Sequence, residues 1–359
     1  MSNTTDPIVA LATDRVRGLT PYLSARRIGG EGHTFLNANE APKSAAFLIS
    51  SMNFNRYPEC QPPELIDSYA RYAGVDPECV MCARGSDEVI GLIIRTFCEP
   101  GRESIIICPP TYGMYSVSAV NVGVLVTEIA PLHDYQPDTD AIIKEFNTNP
   151  NAKVLFLCSP NNPTGTLLSR EKLITILEAV NNRAIVVVDE AYIEFCPQET
   201  MVDLLKQYRS LVITRTLSKG FALAGIRCGF ALADQEIIKA LLKVIDPYPI
   251  SDPVAQIAEQ ALSKNGLEIM RDRIDELNER KARFIAEVKA LPIVDEVFAD
   301  HGNFILFRFK EGSELFYRIA RKGIILRDFN GKPTLDNCIR ITIGSEPEMT
   351  ELLDFLKSI

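Results

Sequence analysis

Short apolar runs alternate with helical patterns from about residue 64 to residue 233. ELIDSYARYAG and SREKLITILEAVN have apolar residues at helical spacing, and the first ends on a glycine. Seven runs have the character of strands: CVMCARG, SIIICPPTY, VGVLVTEIAP, AKVLFLCSPNNPTG, AIVVVDEAY, SLVITRTLSKG and IRCGFALA. Apolar strands separated by helices are typical of a mostly parallel sheet covered on both faces, so we predict an α/β fold.

The pattern changes after DPYPISDPVAQ. A long helical stretch is predicted from about Pro253 to Ala290, loosened near Asn265 and Gly266. Short strands follow in NFILFRF, GIILRD and CIRITIG, with helices near 313–322 and 347–357. We therefore expect an N-terminal arm (residues 1–35), a large domain (36–257) and a small α+β C-terminal domain (258–359).

Composition and charge are those of a soluble globular enzyme. The chain has 359 residues, of which 46% are apolar and 24% charged, and this length suits two domains. The net charge of −9 argues against a nucleic-acid or anionic-membrane surface. The N-terminus lacks the pattern of a secretory signal and no apolar run reaches the length of a membrane span, so we expect a cytoplasmic protein.

Nine cysteines are scattered singly along the chain, which suits a reducing compartment rather than a disulfide framework. Cys79 and Cys82 form a C-x-x-C, but no second pair or nearby histidine completes a zinc site. We interpret this pair as part of a buried strand and expect no metal.

Polar residues directly follow several of the predicted strands. In open α/β sheets, ligands bind at the carboxyl ends of the strands. The turn Gly85-Ser86-Asp87 opens a helix whose N–H groups suit an anion such as phosphate. The other residues at strand ends are Tyr112, Asn162, Asp189, Tyr192, Ser218 and Lys219.

Lys219 stands between Ser218 and Gly220 in TLSKGFALAGIRCG, a stretch that is otherwise rich in apolar residues. A lysine in an apolar, cation-rich pocket has a lowered pKa and can form a Schiff base with a carbonyl. An aspartate such as Asp189 can keep a pyridine nitrogen protonated, so that the ring withdraws electrons from a carbanion. Ser218 and Arg227 would complete a phosphate site at the helix N-terminus. The combination indicates pyridoxal 5′-phosphate (PLP).

Each feature alone has an ordinary explanation. A strand-end Asp-Glu is commonly a cap or a metal ligand, and SPNNPTG consists of standard turn residues. Lys219 could extend to solvent, and Arg227 could form a plain salt bridge. The order of turn, carboxylate, lysine and arginine, each expected after its own strand, favours one shared site.

SPNNPTG, DEAY and LSKGFALAGIRCG together resemble motifs of the fold-type I, PLP-dependent aminotransferases. NANE, RYPE, ARGSDE, PPTYGMYS, GIILRD and IRITIG are similar to motifs of the histidinol-phosphate aminotransferase branch, and the resemblance covers nearly the whole chain. It implies a large domain with a mostly parallel seven-stranded sheet and a smaller α+β C-terminal domain. It also implies that L-histidinol phosphate and 2-oxoglutarate react to give imidazole-acetol phosphate and L-glutamate, in histidine biosynthesis.

The resemblance implies roles for individual residues at the cofactor ring. Lys219 would hold PLP covalently and then carry the proton of the transfer. Asp189 would pair with the pyridine nitrogen. Asn162 and Tyr192 would hydrogen-bond the phenolic oxygen of the cofactor, and Tyr112 would stack on its ring.

The resemblance also implies how the cofactor phosphate is held. Backbone N–H groups of Ser86 and Asp87 would bind it together with Ser218 and Arg227. Tyr57 of RYPE would reach the phosphate of the neighbouring subunit's PLP. The active unit would therefore be a homodimer with shared active sites.

Two further expectations concern turns. The resemblance implies a cis peptide before Pro163, which suits an Asn-Pro turn. Gly220 follows Lys219 where alanine is common, and we expect it to loosen that turn without affecting the chemistry.

One substrate pocket would have to accept a phosphate ester and a dicarboxylate in turn. This calls for arginines that can grip either anion. Arg327 in IILRD and Arg340 in CIRIT stand at predicted strand ends, and Tyr22 offers a hydroxyl. Each could instead form an ordinary contact, such as a strand-end salt bridge. Given the resemblance, we expect the two arginines to bind the substrate anion with support from Tyr22 and Asn162.

Two other kinds of function remain open. An aromatic-amino-acid aminotransferase, or a PLP decarboxylase of a phosphorylated amino acid, would share every cofactor residue and differ only in the substrate pocket. A ligand sensor built on the same fold usually carries an added DNA-binding domain, which we do not expect in this acidic chain.

Overall fold

The computed structural model describes residues 8–21 and 31–359. The described strands are β1 (Thr34–Phe35), β2 (Val80–Ala83), β3 (Ser104–Ile107), β4 (Leu125–Glu128), β5 (Ala152–Cys158), β6 (Ile185–Asp189), β7 (Leu211–Thr216), β8 (Gly229–Ala233), β9 (Val294–Val297), β10 (Phe304–Phe309), β11 (Ile324–Ile325), β12 (Arg327–Asp328) and β13 (Cys338–Thr342). The described helices are α1 (Asp14–Arg17), α2 (Pro63–Ala73), α3 (Ser86–Phe97), α4 (Met114–Val122), α5 (Thr139–Thr148), α6 (Arg170–Val180), α7 (Gln235–Leu241), α8 (Asp252–Leu262), α9 (Lys264–Lys289), α10 (Gly312–Ala320) and α11 (Glu346–Lys357).

Strands β2 to β8 form one seven-stranded sheet in the order β2-β8-β7-β6-β5-β3-β4. Every pairing is parallel except those of β8, which runs antiparallel to both of its neighbours. Helices α3, α4 and α7 contribute to the hydrophobic cluster on one face, and α2, α5, α6 and α8 contribute to the cluster on the other. The predicted mostly parallel, doubly covered sheet is therefore confirmed.

The C-terminal part is smaller and contains an antiparallel sheet. Its strand order is β12-β13-β10-β9, and α9, α10 and α11 supply apolar residues to the core beneath it. The predicted α+β fold of the C-terminal part is therefore confirmed. Among the described helices, none has both the length and the apolar character that crossing a membrane requires.

The predicted long helix is two helices that meet at Ser263. Ser263 caps α9 by accepting a hydrogen bond from the Gly266 backbone N–H at 3.2 Å. A Cβ at Gly266 would lie 2.3 Å from the carbonyl oxygen of Gln260, so glycine permits the close approach of the two helix ends. The predicted loosening at Gly266 thus falls in the first turn of α9, after the actual break.

Two details of the small sheet differ from the prediction. GIILRD divides into β11, which pairs in parallel with β1, and β12, which pairs with β13. Strand β9 was not predicted. It is an edge strand with Asp295 and Glu296 exposed, so it lacks the apolar run used to recognise strands.

The N-terminal segment after β1 leads from the small sheet into the large domain. The Leu36 N–H donates to the Ile325 carbonyl at 2.8 Å, and the Thr342 N–H donates to the Leu36 carbonyl at 2.9 Å. Asn37 and Asn39 follow and are both buried. This route brings their polar groups to the carboxyl edge of the main sheet.

Candidate active site

Most predicted site residues collect at one edge of the main sheet, because parallel strands end there together. Those that end or follow parallel strands β2, β3, β5, β6 and β7 are Ser86, Asp87, Tyr112, Asn162, Asp189, Tyr192, Ser218 and Lys219. Arg227 does not follow a strand as predicted, since it precedes β8. Because β8 runs antiparallel, its beginning lies at the same edge.

Lys219 directs its amine into this edge. The Nζ atom donates to the carbonyl oxygens of Ala38 at 2.9 Å and Asn39 at 3.1 Å, and it lies 5.7 Å from the centre of the Tyr192 ring. Burial lowers the pKa of the amine to about 8, and the Arg340 guanidinium acts in the same direction. A substantial share of Lys219 is therefore a neutral nucleophile near that pH.

Asp189 is a buried carboxyl at the end of β6. Its Oδ2 accepts from the Tyr115 hydroxyl at 2.7 Å, and its Oδ1 accepts from the Ala191 N–H at 3.1 Å. Burial raises the pKa of Asp189 to about 6, while both hydrogen bonds oppose that rise. The described residues provide no salt bridge to Asp189, so this carboxylate suits a cationic partner.

The turn that opens α3 is packed closely against Arg227. Gly85 has a φ of +82°, and a Cβ there would lie 2.5 Å from Nη2 of Arg227. A Cβ at Gly229 would lie 2.3 Å from the Ser86 backbone nitrogen. Both glycines are needed for this approach, which places a guanidinium against the N-terminus of a helix.

Arg227 also connects the hydroxyl and carboxylate groups of this turn. Its Nη1 donates to Ser218 Oγ at 3.3 Å, and its Nη2 donates to Asp87 Oδ2 at 3.2 Å. Asp87 Oδ1 accepts from the Tyr112 hydroxyl at 2.9 Å. A cationic fork, a hydroxyl and a helix N-terminus thus converge where phosphate binding was predicted.

Asn162 and Tyr192 form the opposite side of the site. The peptide before Pro163 is cis, as predicted. Asn162 Nδ2 donates to the Tyr192 hydroxyl at 3.3 Å, and its Oδ1 accepts from Arg340 Nη1 at 2.5 Å. Burial raises the pKa of Tyr192 above its ordinary value, so the phenol keeps its proton at neutral pH and can donate it in a hydrogen bond.

Arg327 and Arg340 are cross-strand partners of β12 and β13. Side chains at such positions share one face of a sheet, with Cβ atoms roughly 5 Å apart. Arg340 is buried and its Nη2 donates to the Asn37 carbonyl at 2.7 Å. The Nη1 atom of Arg327 is buried and forms no hydrogen bond within residues 8–21 and 31–359. The pair leaves donor capacity for an anion.

The roles predicted for two residues, Tyr57 and Tyr22, are not tested by this geometry. Tyr57 is 81% exposed and stacks on Tyr248, with ring centres 4.4 Å apart. Its predicted reach to a neighbouring subunit's cofactor stays a prediction. Tyr22 lies outside the described residues.

The structure adds Tyr115 and Asn39 to the site. Tyr115 belongs to PPTYGMY, from which only Tyr112 had been selected. The first turn of α4 turns Tyr115 towards Asp189. The second asparagine of NANE, Asn39, contacts both Lys219 and Tyr192. These residues are distant in the sequence, so local patterns do not reveal the contacts.

Gly220 has a different role from the one expected. A Cβ at this position would lie 2.6 Å from Cβ and 2.9 Å from Cγ of Glu194. Glycine therefore lets the Lys219 turn pack directly on a buried glutamate. Burial raises the pKa of Glu194 to about 7, whereas the nearby Arg215 cation opposes the rise.

Comparisons with known proteins agree with this geometry. Residues 29–356 match the family described as aminotransferase class I and II. The chain is 56% identical over 352 residues to a histidinol-phosphate aminotransferase of Aeromonas hydrophila and 50% identical over 351 residues to one of Escherichia coli. Each alignment covers 98% of both chains.

Solved structures show the same fold. A histidinol-phosphate aminotransferase from Clostridium acetobutylicum has a TM-score of 0.82 at 26% identity, covering 91% of this chain and 98% of that one. Another from Sinorhizobium meliloti, in complex with pyridoxal-5′-phosphate, has a TM-score of 0.84 at 21% identity and covers 97% of each chain. The chain therefore belongs to the aminotransferase class I and II family, together with the relatives named histidinol-phosphate aminotransferase.

Proposed function

We propose that this chain transfers the amino group of L-histidinol phosphate to 2-oxoglutarate, giving imidazole-acetol phosphate and L-glutamate, as a step of histidine biosynthesis. One observation carries the proposal. The enclosed amine of Lys219 lies within the electrostatic influence of Arg340, which stands opposite Arg327 on the neighbouring strand. A nucleophilic lysine beside an arginine pair suits amino transfer on an anionic substrate.

The residues present fit PLP group by group. The hydroxyl of Ser218, the guanidinium of Arg227 and the first N–H groups of α3, at Ser86 and Asp87, suit its phosphate. The carboxylate of Asp189 forms no salt bridge with the described residues, and it suits the ring nitrogen of PLP. The described residues also offer the Lys219 amine for its aldehyde.

Asn162 and Tyr192 supply donors for the phenolic oxygen of PLP, and the aromatic ring of Tyr112 stands at the same edge of the sheet. PLP would supply an electrophilic carbon for amines and a ring that withdraws electrons. The chain provides the remaining functions of orientation and proton movement.

With PLP bound, Lys219 would be suited to take the proton from the amine-bearing carbon of the substrate and to deliver it to the cofactor carbon that carries the aldehyde. Its pKa near 8 lies close to neutral pH, where an amine both accepts and releases a proton readily. The carbonyls of Ala38 and Asn39 hold the amine at 2.9 and 3.1 Å. Asp189, ionised above about pH 6, stabilises positive charge near it, and the Tyr115 hydroxyl keeps that carboxylate in place.

Arg327 and Arg340 would bind the anionic end of each substrate. Arg327 has a buried Nη1 atom that forms no hydrogen bond within the described parts of the chain, and it suits the phosphate of histidinol phosphate. Arg340 is already joined to Asn162 and Asn37, so it binds an anion from a fixed position. Two arginines also suit the carboxylates of 2-oxoglutarate. We propose that Tyr22 assists them.

The chain is proposed to act as a homodimer with shared sites. Support comes from a segment that exposes large apolar side chains, with 81% of Tyr57 accessible. Its exposed members are Leu48, Ile49, Met52, Phe54 and Tyr57, and Tyr248 packs on the last of them. An exposed apolar surface of this kind is typical of a protein interface. In the proposed dimer, Tyr57 contacts the partner's cofactor phosphate.

A cytoplasmic location is also proposed. All nine cysteines are free thiols, and most of them are buried, which suits a reducing compartment.

A panel of amino donors tests the function. Histidinol phosphate, phenylalanine, tyrosine and threonine phosphate are each incubated with the PLP-loaded protein and 2-oxoglutarate, and glutamate is measured. We expect the highest kcat/KM for histidinol phosphate. A preference for phenylalanine or tyrosine would replace the proposal with an aromatic aminotransferase, and release of carbon dioxide from threonine phosphate without glutamate would replace it with a decarboxylase.

A further inference from the structure

Asn39 uses all of its polar groups inside the molecule. Its N–H donates to Thr342 Oγ1 at 2.9 Å, and its Oδ1 accepts from the same hydroxyl at 3.1 Å. Its Nδ2 donates to the Tyr192 hydroxyl at 3.0 Å. Its carbonyl accepts from Lys219 Nζ at 3.1 Å and from Asn303 Nδ2 at 3.0 Å. Asn39 therefore joins the small sheet to two residues of the site, to Tyr192 through its side chain and to Lys219 through its backbone carbonyl.

Two residues of β13 bind the segment 37–39. Arg340 and Thr342 are two residues apart on this strand, so their side chains point to the same face. Arg340 donates to the Asn37 carbonyl at 2.7 Å, and Thr342 binds the Asn39 backbone and side chain. The segment 37–39 is thus fixed to the arginine-bearing strand at both ends.

We propose that Asn39 is a positioning residue that, through Thr342, keeps the Lys219 amine and the Tyr192 phenol in register with the anion-binding strand β13. The inference rests on the proposed function, because amino transfer requires the lysine, the cofactor oxygen and the substrate anion to be aligned together. Asn39 acts through its neighbours and is not itself a catalytic residue.

The backbone of Asn39 supports this role. Its φ of +53° lies in the left-handed region, which asparagine tolerates better than most residues. This conformation presents the carbonyl to Lys219 and the side chain to Tyr192 together. A carbonyl acceptor stabilises the ammonium form of a lysine, so poorer alignment lowers the lysine pKa. The charged and titratable groups around Lys219 are Glu40, Asp87, Tyr192, Arg227 and Arg340.

Substitutions at Thr342 test the link without touching the site residues. Thr342→Val removes the hydroxyl but keeps the shape of the buried side chain, whereas Thr342→Ser keeps the hydroxyl. In the full chain without PLP, competitive acylation across a pH series, followed by mass spectrometry of the Lys219 peptide, measures the apparent pKa of Lys219. We expect a lower pKa in Thr342→Val, with acylation about threefold faster at pH 7, and a wild-type value in Thr342→Ser.

The PLP-loaded protein provides the second readout. Asn39→Gly keeps the left-handed backbone and removes the amide, and we expect kcat to fall about tenfold with a much smaller change in KM. Asn181→Gly is the matched control, because Asn181 is an exposed asparagine with a φ of +44° at the end of α6. It should behave as wild type.

The experiments distinguish a failure of this inference from a failure of the proposed function. Wild-type Lys219 titration in Thr342→Val, together with wild-type kcat in Asn39→Gly, would overturn the positioning role. The acylation experiment contains no substrate, so an error in the assigned amino donor would appear in the donor panel and would leave the shift of the Lys219 pKa unchanged.

Discussion

Arg327 and Arg340 stand directly opposite each other on adjacent antiparallel strands, although both side chains are cationic. Like charges at such positions destabilise a sheet. Arg340 also donates to Asn162, which in turn donates to Tyr192. An anion bound between the arginines would relieve their repulsion, as expected if the pair forms the proposed substrate site.

Substitution of Arg327 and of Arg340 should affect activity in different ways. Arg327→Ala is expected to lower kcat/KM for histidinol phosphate about a hundredfold and for phenylalanine much less, because a charge-assisted contact to phosphate contributes roughly 2–3 kcal/mol. Arg340→Ala should impair both half-reactions, since it also releases Asn162 and Asn37. Arg308→Ala, on β10 of the same sheet, is the control. Wild-type kcat/KM for histidinol phosphate in both variants would rule out the two arginines as the site of its phosphate.

Tyr115→Phe should change the pH dependence of the reaction. A hydrogen bond to the ionised carboxylate lowers its pKa, so loss of the Tyr115 hydroxyl raises the pKa of Asp189 further above about 6. If the ionised carboxylate is required, the acidic limb of the kcat profile moves to higher pH, and the variant loses more activity at pH 6 than at pH 8. Tyr208→Phe, which removes a surface contact with Glu178, should leave the profile unchanged. An unshifted limb in Tyr115→Phe would contradict the role of Asp189.

Lys219 should be the lysine that binds the cofactor. Borohydride reduction of the PLP-loaded protein and peptide mapping are expected to find the label on Lys219. Lys281 is also a buried lysine, but it donates to the carbonyls of Asp300 and Gly302, and it should carry no label. Lys219→Ala should remain folded and lose at least ~10³-fold in kcat. Label on Lys281 would disprove the assignment.

Tyr57 should act across a subunit boundary. If each site uses both chains, mixing the inactive Lys219→Ala chain with a weakened Tyr57→Phe chain should give hybrid dimers whose activity differs from the average of the parents. Sedimentation measures the oligomeric state at the assay concentration. Tyr248→Ala, which removes the stacking partner, should weaken the dimer. A fully active monomer would exclude the shared site.

Glu194 should make stability depend on pH. Its pKa is raised from 4.5 to about 7 by burial, so the folded state binds more protons than the unfolded state in that window. The stability of the wild type therefore falls as pH rises from about 4.5 to about 7, relative to a neutral side chain. Glu194→Gln should be more stable than wild type at pH 8 by up to about 3 kcal/mol, with little difference at pH 4.5.

Chemical denaturation at the two pH values measures this effect, and Glu178→Gln is the exposed control. A less stable Glu194→Gln at pH 8 would show that attraction to Arg215 outweighs the cost of burying the charge.

Much of the sheet and its edge could be predicted because the signals are local. The apolar runs of β5, β6 and β7 identify buried strands, and the residue types directly after them identify Asn162, Asp189 and Lys219 as candidates. The predicted place of Arg227 after a strand is wrong, since nothing in IRCGFALA shows that β8 runs antiparallel to its neighbours. Strand direction depends on the whole sheet.

Contacts between distant segments could not be predicted. Asn39 and Thr342 are 303 residues apart, and the motifs NANE and IRITIG that contain them do not show that the two segments meet. The fit of Gly220 against Glu194 is likewise a matter of tertiary packing. The domain boundaries at residues 35 and 257 remain predictions, as does every role assigned to a site residue.

The fixing of segment 37–39 to β13 has a consequence for synthesis on the ribosome. Lys219 receives its two carbonyl acceptors from near the start of the chain and its arginine neighbour from near the end. The main sheet can assemble early, but the pocket closes only after residues 338–342 have left the exit tunnel. Contacts of such large sequence separation form late. The residues proposed to hold the cofactor, from Ser86 to Arg227, are therefore translated well before β13, and the arginine side of the pocket is completed last.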